Sequence, residues 1–386
     1  VQQQADSPAE PDLEATIIAL QTQMIEASKQ TVVPDAEENQ TPTESSEIKQ
    51  PDPSRSDLYQ GFFVLQEGWF RSYDFNGLAL GVDFPAGSSN WYGNNEINAF
   101  IDDIFYAEFS SNSGAFRVNA QGTQKLDFIN AQDPVYIAIS PDKQKIAWST
   151  SSWGEGNLRT EIYFANLDGS DQQLIDSITA DEQNDLNLNF FPVRWMDDGR
   201  LIYATGMTGI GGYMLFWGYN GMYVFNPLNN SIRTLVDDQE RLGICLSSIS
   251  DDLTKIAIVC GAEGNVRVRS LDSGNEIIFP IIEDQVLAGA ARFSPSGQWL
   301  AYVVQRADAM QELGKIVVVP VDGSQPPRVL TTVEDGSFTV EGWMSEDHLL
   351  VTRTFMSTSE ISVLKLNRDG SEVIQVAEGK FIDFIP

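Results

Sequence analysis

Residues able to do chemistry are unevenly supplied in this chain. Fifty-five carboxylates stand beside one histidine and two cysteines in 386 residues. His348 sits at a turn position just before Leu349-Leu350, and no serine or cysteine is spaced to build a nucleophile–base–orienter set around it. A four-ligand zinc or iron site needs more imidazoles and thiolates than the chain holds. The run from Gly206 to Gly212 joins strands rather than opening a helix, so it lacks the helix N-terminus that cradles phosphate. What remains is carboxylate chemistry of the two-acid kind used on glycosidic bonds. Acids are too numerous for spacing to single out a pair, so no catalytic residue is assigned. Asp168-Gly169-Ser170-Asp171 is rich in oxygen ligands but lacks the alternating positions and terminal glutamate of a calcium loop. No cofactor is expected, and calcium stands only as a minor alternative.

Binding chemistry is better supplied. Trp91 and Tyr92 lie in a Gly/Ser/Asn-rich segment, Trp153 follows two serines, and Tyr213, Phe216, Trp217 and Tyr219 crowd a third segment. Acids fall near them in the chain's other long connections: Asp181 and Glu182, then Asp237 and Asp238. Aromatic faces ringed by carboxylates suit a basic or extended peptide, or a sugar stacked on tryptophan. The alternative is a satellite core in which the rings pack on one another under long loops. Cys245 and Cys260 fall opposite each other if Ser250 pairs with Lys255 and the register runs on unbroken. That placement suits a cross-strand disulfide; two buried thiols are the alternative.

These residues are positioned by a recurring two-hairpin unit. Inner turns recur as Ser140-Pro141-Asp142, Met196-Asp197-Asp198-Gly199, Ser250-Asp251-Asp252, Ser294-Pro295-Ser296-Gly297 and Met344-Ser345-Glu346-Asp347. Each precedes an apolar strand such as Leu300-Ala301-Tyr302-Val303, and an outer hairpin closed by a Asp-Gly-Ser kind of turn follows. A repeated unit of four short strands is the signature of a β-propeller. Six outer hairpins predict an all-β, six-bladed propeller over residues 57–386, or seven blades if 58–84 hide an extra strand pair. The final segment Phe381–Pro386 reads as an inner strand that returns to complete the first blade, whose other strands come from about 60–128. Connections between strands two and three, and between blades, share one face, and the aromatic and acidic segments fall there.

The repeat resembles that of TolB-type propellers, shared with the propellers of prolyl-oligopeptidase-like enzymes. The resemblance covers roughly residues 57–386 and implies the fold; the repeat occurs in proteins of very different activity. It brings the exported bacterial propeller lipoproteins to mind as the similar class. Residues 1–56 are Gln-, Pro-, Ser- and Thr-rich and read as an acidic linker or stalk, with Leu13, Ile17, Leu20 and Met24 spaced for one helix near 12–28. Eleven acids and three bases there leave −23 of the formal −31 on the rest of the chain. Such a surface is a poor partner for nucleic acid or anionic lipid. The expectations are an exported protein, periplasmic, cell-surface or extracellular, held to a membrane only through an upstream lipid anchor. Its expected role is non-catalytic binding or scaffolding with a protein or glycan partner, the former basic. A carboxylate-based polysaccharide-active enzyme and a structural subunit of a surface layer or filament are the alternatives.

Overall fold

The computed structural model describes residues 59–86, 97–108, 114–129, 136–154, 157–181, 188–207, 218–237, 246–259, 265–280, 282, 286–308 and 311–386. The chain divides into Val1–Gln50 and Pro51–Pro386, and every described residue belongs to the second unit. The helix expected near 12–28 lies outside the described residues.

The second unit contains seven antiparallel four-stranded sheets, not six. Each is a blade. The innermost strands, from blade 1 to blade 7, are Lys380–Ile385, Asn98–Phe100, Tyr136–Ile139, Leu188–Trp195, Leu246–Ile249, Val286–Phe293 and Gly336–Trp343. The miscount has a local cause. Gly61–Gln66, Trp69–Tyr73 and Ala79–Pro85 form blade 1 with the C-terminal strand, while residues 98–125 form a separate blade 2. Blade 2 turns its inner hairpin on Ile101-Asp102 alone, with Phe100 opposite Asp103, so it carries no Ser-Pro-Asp-Gly signal. The first outer hairpin seen in the sequence therefore belongs to blade 2, and blade 1 turns on Glu67-Gly68.

The C-terminal strand does close the ring. Gly61, Phe62 and Phe63 pair with Ile385, Phe384 and Asp383. Phe384 also reaches the neighbouring blade, where a Cβ on Gly342 would meet its ring at 2.8 Å. Closure of this kind leaves no inner sheet edge free to template aggregation.

Second strands read as continuous apolar runs because a blade is covered on both faces by its neighbours. Leu201, Ile202, Tyr203 and Ala204 are all fully buried. Outermost strands such as Gly122–Lys125 are largely exposed and polar. The motif turns work through their side chains. Ser140 Oγ donates to Asp142 Oδ1 (2.6 Å) and accepts from the Lys145 amide (2.8 Å), and Ser250, Asp252 and Lys255 repeat the pattern. The backbone turns left-handed at Gly199 and Gly297 (φ 80° and 66°). Lys143 and Leu253 take the same conformation at a cost glycine avoids.

Topology sorts the connections onto two faces. On the turn face they are uniformly short, from Ile101-Asp102 to residues 321–327. On the opposite face they range from Gly379 alone to residues 86–97 and 208–220.

Candidate functional site

In five of the seven blades the innermost strand bulges. Backbone pairing skips Val193 in blade 4, Ser247 in blade 5, Glu341 in blade 7 and Ile382 in blade 1. Blade 6 skips both Ala290 and Ala291. A bulge bends its strand and re-aims the extra side chain. Val193, Ala290, Ala291 and Ile382 nevertheless stay packed in or against the blade-to-blade cores. Glu341 is the one acid in the set.

The residues following the bulges sew blade to blade. Asp383 Oδ2 accepts from the Ala99 amide of blade 2 (3.0 Å), and its Oδ1 accepts from its neighbour Phe384 (2.8 Å). Asn98 occupies the same place in blade 2 and accepts from the Ile139 amide of blade 3 (2.8 Å), while its Nδ2 donates to Ile137 O (3.3 Å). Elsewhere tryptophans serve: Trp195 Nε1 donates to Ala138 O and Trp343 Nε1 to Arg292 O, both at 3.0 Å. Ser247 Oγ accepts from Ala291 N at 3.1 Å.

Blades 6, 7 and 1 thus bring Arg292, Glu341, Lys380 and Asp383 together on the inner wall. Burial pushes the Glu341 carboxyl up to about 7, opposed by the adjacent Thr352 hydroxyl and by the charges of Arg292 and Lys380. Burial also pushes Asp383 up to about 7; the two amide donors oppose this and the Glu341 charge adds to it. The same burial draws Lys380 below the usual lysine range, with Glu341 pulling it back. Of the causes acting on Asp383, the Glu341 charge is the least. Both oxygens of Asp383 are engaged by backbone, whereas Glu341 has no backbone donor assigned to it, so Glu341 is the more available group. Among the described residues no three His, Cys, Asp or Glu side chains converge as a metal site.

The residues singled out in the sequence fare differently. Tyr219 is half-buried, bridged to Leu246 through backbone, its ring 5.7 Å from Phe191. Asp237 is exposed. Trp153 and Asp181 end strands Lys145–Gly154 and Gln173–Asp181 at the long-connection face, Trp153 paired with Leu158 and Asp181 with Asn157. Trp91, Tyr92, Tyr213, Phe216, Trp217, Glu182 and Asp238 lie outside the described residues, as do Cys245 and Cys260. The register used to oppose the cysteines holds at Ser248↔Ala257 but slips by one at Leu246↔Ile258, because of the Ser247 bulge. His348 opens a strand, with Nε2 3.8 Å from Glu372.

No family model matches the sequence, and no curated protein matches it. Solved structures do. A putative TolB from Agrobacterium tumefaciens is 15% identical, with 68% of this chain and 86% of that one aligned at a TM-score of 0.40. A prolyl endopeptidase is 11% identical at a TM-score of 0.51, covering 95% of this chain and 55% of the other. The likeness is one of fold. This chain is a β-propeller with distant structural similarity to TolB, prolyl oligopeptidase and other propellers. It spans about half the length of the prolyl endopeptidase it resembles. A putative 6-phosphogluconolactonase from Bacteroides fragilis is 14% identical, with 87% of this chain and 100% of that one aligned at a TM-score of 0.48. Glu341 and Asp383 escaped sequence reading, although a charge inside Val340-Glu341-Gly342-Trp343 and Phe381-Ile382-Asp383-Phe384 was the available signal.

Proposed function

We propose that this propeller is a non-catalytic binding module, exported to the cell envelope or extracellular space, which engages a protein or glycan partner on its long-connection face. The observation that carries the reading is the sorting of connections. Strands flanking 86–97, 126–135, 208–220 and 237–245 all end on that face, around blades 1 to 5. Every aromatic and acid singled out in the sequence falls within or beside connections of that face. Over blades 6 and 7 the connections on the same face shrink to residues 309–310, 334–335 and 356–360. Lys380 opens its strand on that same face, whereas Arg292 and Glu341 lie toward the turn face. The acidic surface suits a basic protein, and the tryptophans suit a glycan equally. The test is capture from the native envelope. Replacing Trp91, Trp153 and Trp217 by Ala is expected to abolish capture without lowering the melting temperature. A large loss of stability with the same substitutions would place the rings in a packed core instead.

The second reading, an enzyme acting on polysaccharide through carboxylates, has the Glu341–Asp383 pair in its favour. Against it stand the two backbone amides that occupy Asp383, since a two-acid mechanism needs both groups free to reach the sugar. Release of reducing ends from envelope glycan, lost in Glu341→Gln, would establish it.

A further inference from the structure

A cleft lies on the opposite, turn face, between blades 6 and 7. Trp299, Val318, Pro320, Gln325, Pro326, Arg328, Arg368 and Asp369 line a cleft of ≈ 240 Å³ there. Trp299 opens the second strand of blade 6 opposite Pro320, and Arg368 comes from the outer turn of blade 7. The Arg368 guanidinium stacks over the indole at 4.3 Å and pairs with Asp347 at 2.9 Å, which fixes the wall on that side. The floor is apolar: tryptophan, valine and proline. Arg328 stands exposed at the rim. Its Nη1 reaches the Asp369 carbonyl at 3.4 Å, and among the described residues it forms no ion pair with a carboxylate. It also opens Arg328–Val333, the outermost strand of blade 6, whose outer edge no other strand of the sheet covers. Val329 beside it is 41% exposed.

The geometry points to an extended acidic peptide as the ligand of this cleft. One apolar or proline side chain of the peptide seats on Trp299, and a neighbouring carboxylate meets Arg328. Aromatic- and proline-lined clefts take extended segments because such backbones lose little freedom on docking. Arg328 already acts on the charge of Asp369, and its exposed guanidinium still supplies the fork that fits a carboxylate. On a chain of net charge −31 an acidic partner needs such a local cation to approach at all. The inference is independent of the function proposed above, which concerns the other face.

Titration of the full chain, ¹⁵N-labelled at tryptophan, with the blocked peptide Ac-Glu-Pro-Leu-Glu-Pro-Leu-NH₂ tests it. The Trp299 indole resonance is expected to move, and Arg328→Glu is expected to weaken binding about tenfold while Arg328→Gln has a smaller effect. The lysine-for-glutamate peptide should bind more weakly than the acidic one. Arg328 is exposed, so its substitutions should leave the melting curve in place. A silent Trp299 resonance at millimolar acidic peptide, equal or better binding of the lysine peptide, or indifference to Arg328→Glu would each overturn the assignment.

Discussion

Asn98 and Asp383 hold the same place in consecutive blades and make the same bond to the next blade, at 2.8 and 3.0 Å. One is an amide, neutral at every pH. The other is a carboxyl raised to about 7, beside a second carboxyl raised as far. The bond between blades therefore does not require an acid. The inner strands of blades 6, 7 and 1 carry Arg292, Glu341, Lys380 and Asp383, while blade 4 carries Arg194, paired with Asp251 of blade 5 at 2.6 Å. The sector with the short connections is the sector with the titratable wall. Holding ionisable groups there costs stability that neutral residues would not.

The largest effect should come from the neutral stitch. Asn98→Ala leaves the Ile139 amide and the Ile137 carbonyl without partners, and should cost about 2–4 kcal/mol equally at pH 5 and pH 8.5. Urea denaturation at the two pH values checks it; a strongly pH-dependent loss would break the equivalence of the two stitches.

The acidic stitch should behave oppositely. Asp383→Asn keeps an acceptor for the Ala99 amide and removes the buried charge. It should leave stability unchanged below the ordinary carboxylate range, raise it slightly at pH 5 and raise it by about 1–3 kcal/mol at pH 8.5. The sign follows from proton counts. Between about pH 4 and pH 7 the folded chain holds protons on Asp383 and Glu341 that the unfolded chain has released. Their contribution to stability is therefore full below the ordinary carboxylate range and is lost as pH rises through 7. A wild-type chain equally stable at pH 5 and pH 8.5, with no gain in the variant, would contradict the titratable wall.

Smaller still is the coupling between the acids. In Glu341→Gln the Asp383 pKa should fall by less than about one unit, because the Glu341 charge is the least of the causes that set it. Carboxyl ¹³C NMR titration reads that shift directly, and a rise instead of a fall would mean that the groups do not repel.

The repeat made the fold legible. Ser-Pro-Asp turns carry their own hydrogen bonds, and apolar second strands announce themselves. The ring closure was legible as well, since Phe381–Pro386 has the pattern of an inner strand with no partner nearby in sequence. The blade count was not, because the inner hairpin of blade 2 closes on a two-residue turn without the motif, and blade 1 takes its innermost strand from the C-terminus and so has no inner turn. The channel wall was hidden for another reason. Bulges shift which side chain sits where along the inner strand, and a bulge such as that at Glu341 leaves no mark in apolar periodicity. The same feature at Ser247 slips the register on which the cysteine pairing was drawn.

Capture of a partner from the native envelope tests the central claim most directly. It should compare the intact chain, the triple Ala variant of Trp91, Trp153 and Trp217, and Glu341→Gln, all with melting temperatures measured in parallel. The expected result is capture by the intact chain and none by the triple variant, at unchanged melting temperature. Undiminished capture by a triple variant that remains folded would show that the long-connection face does not bind the partner.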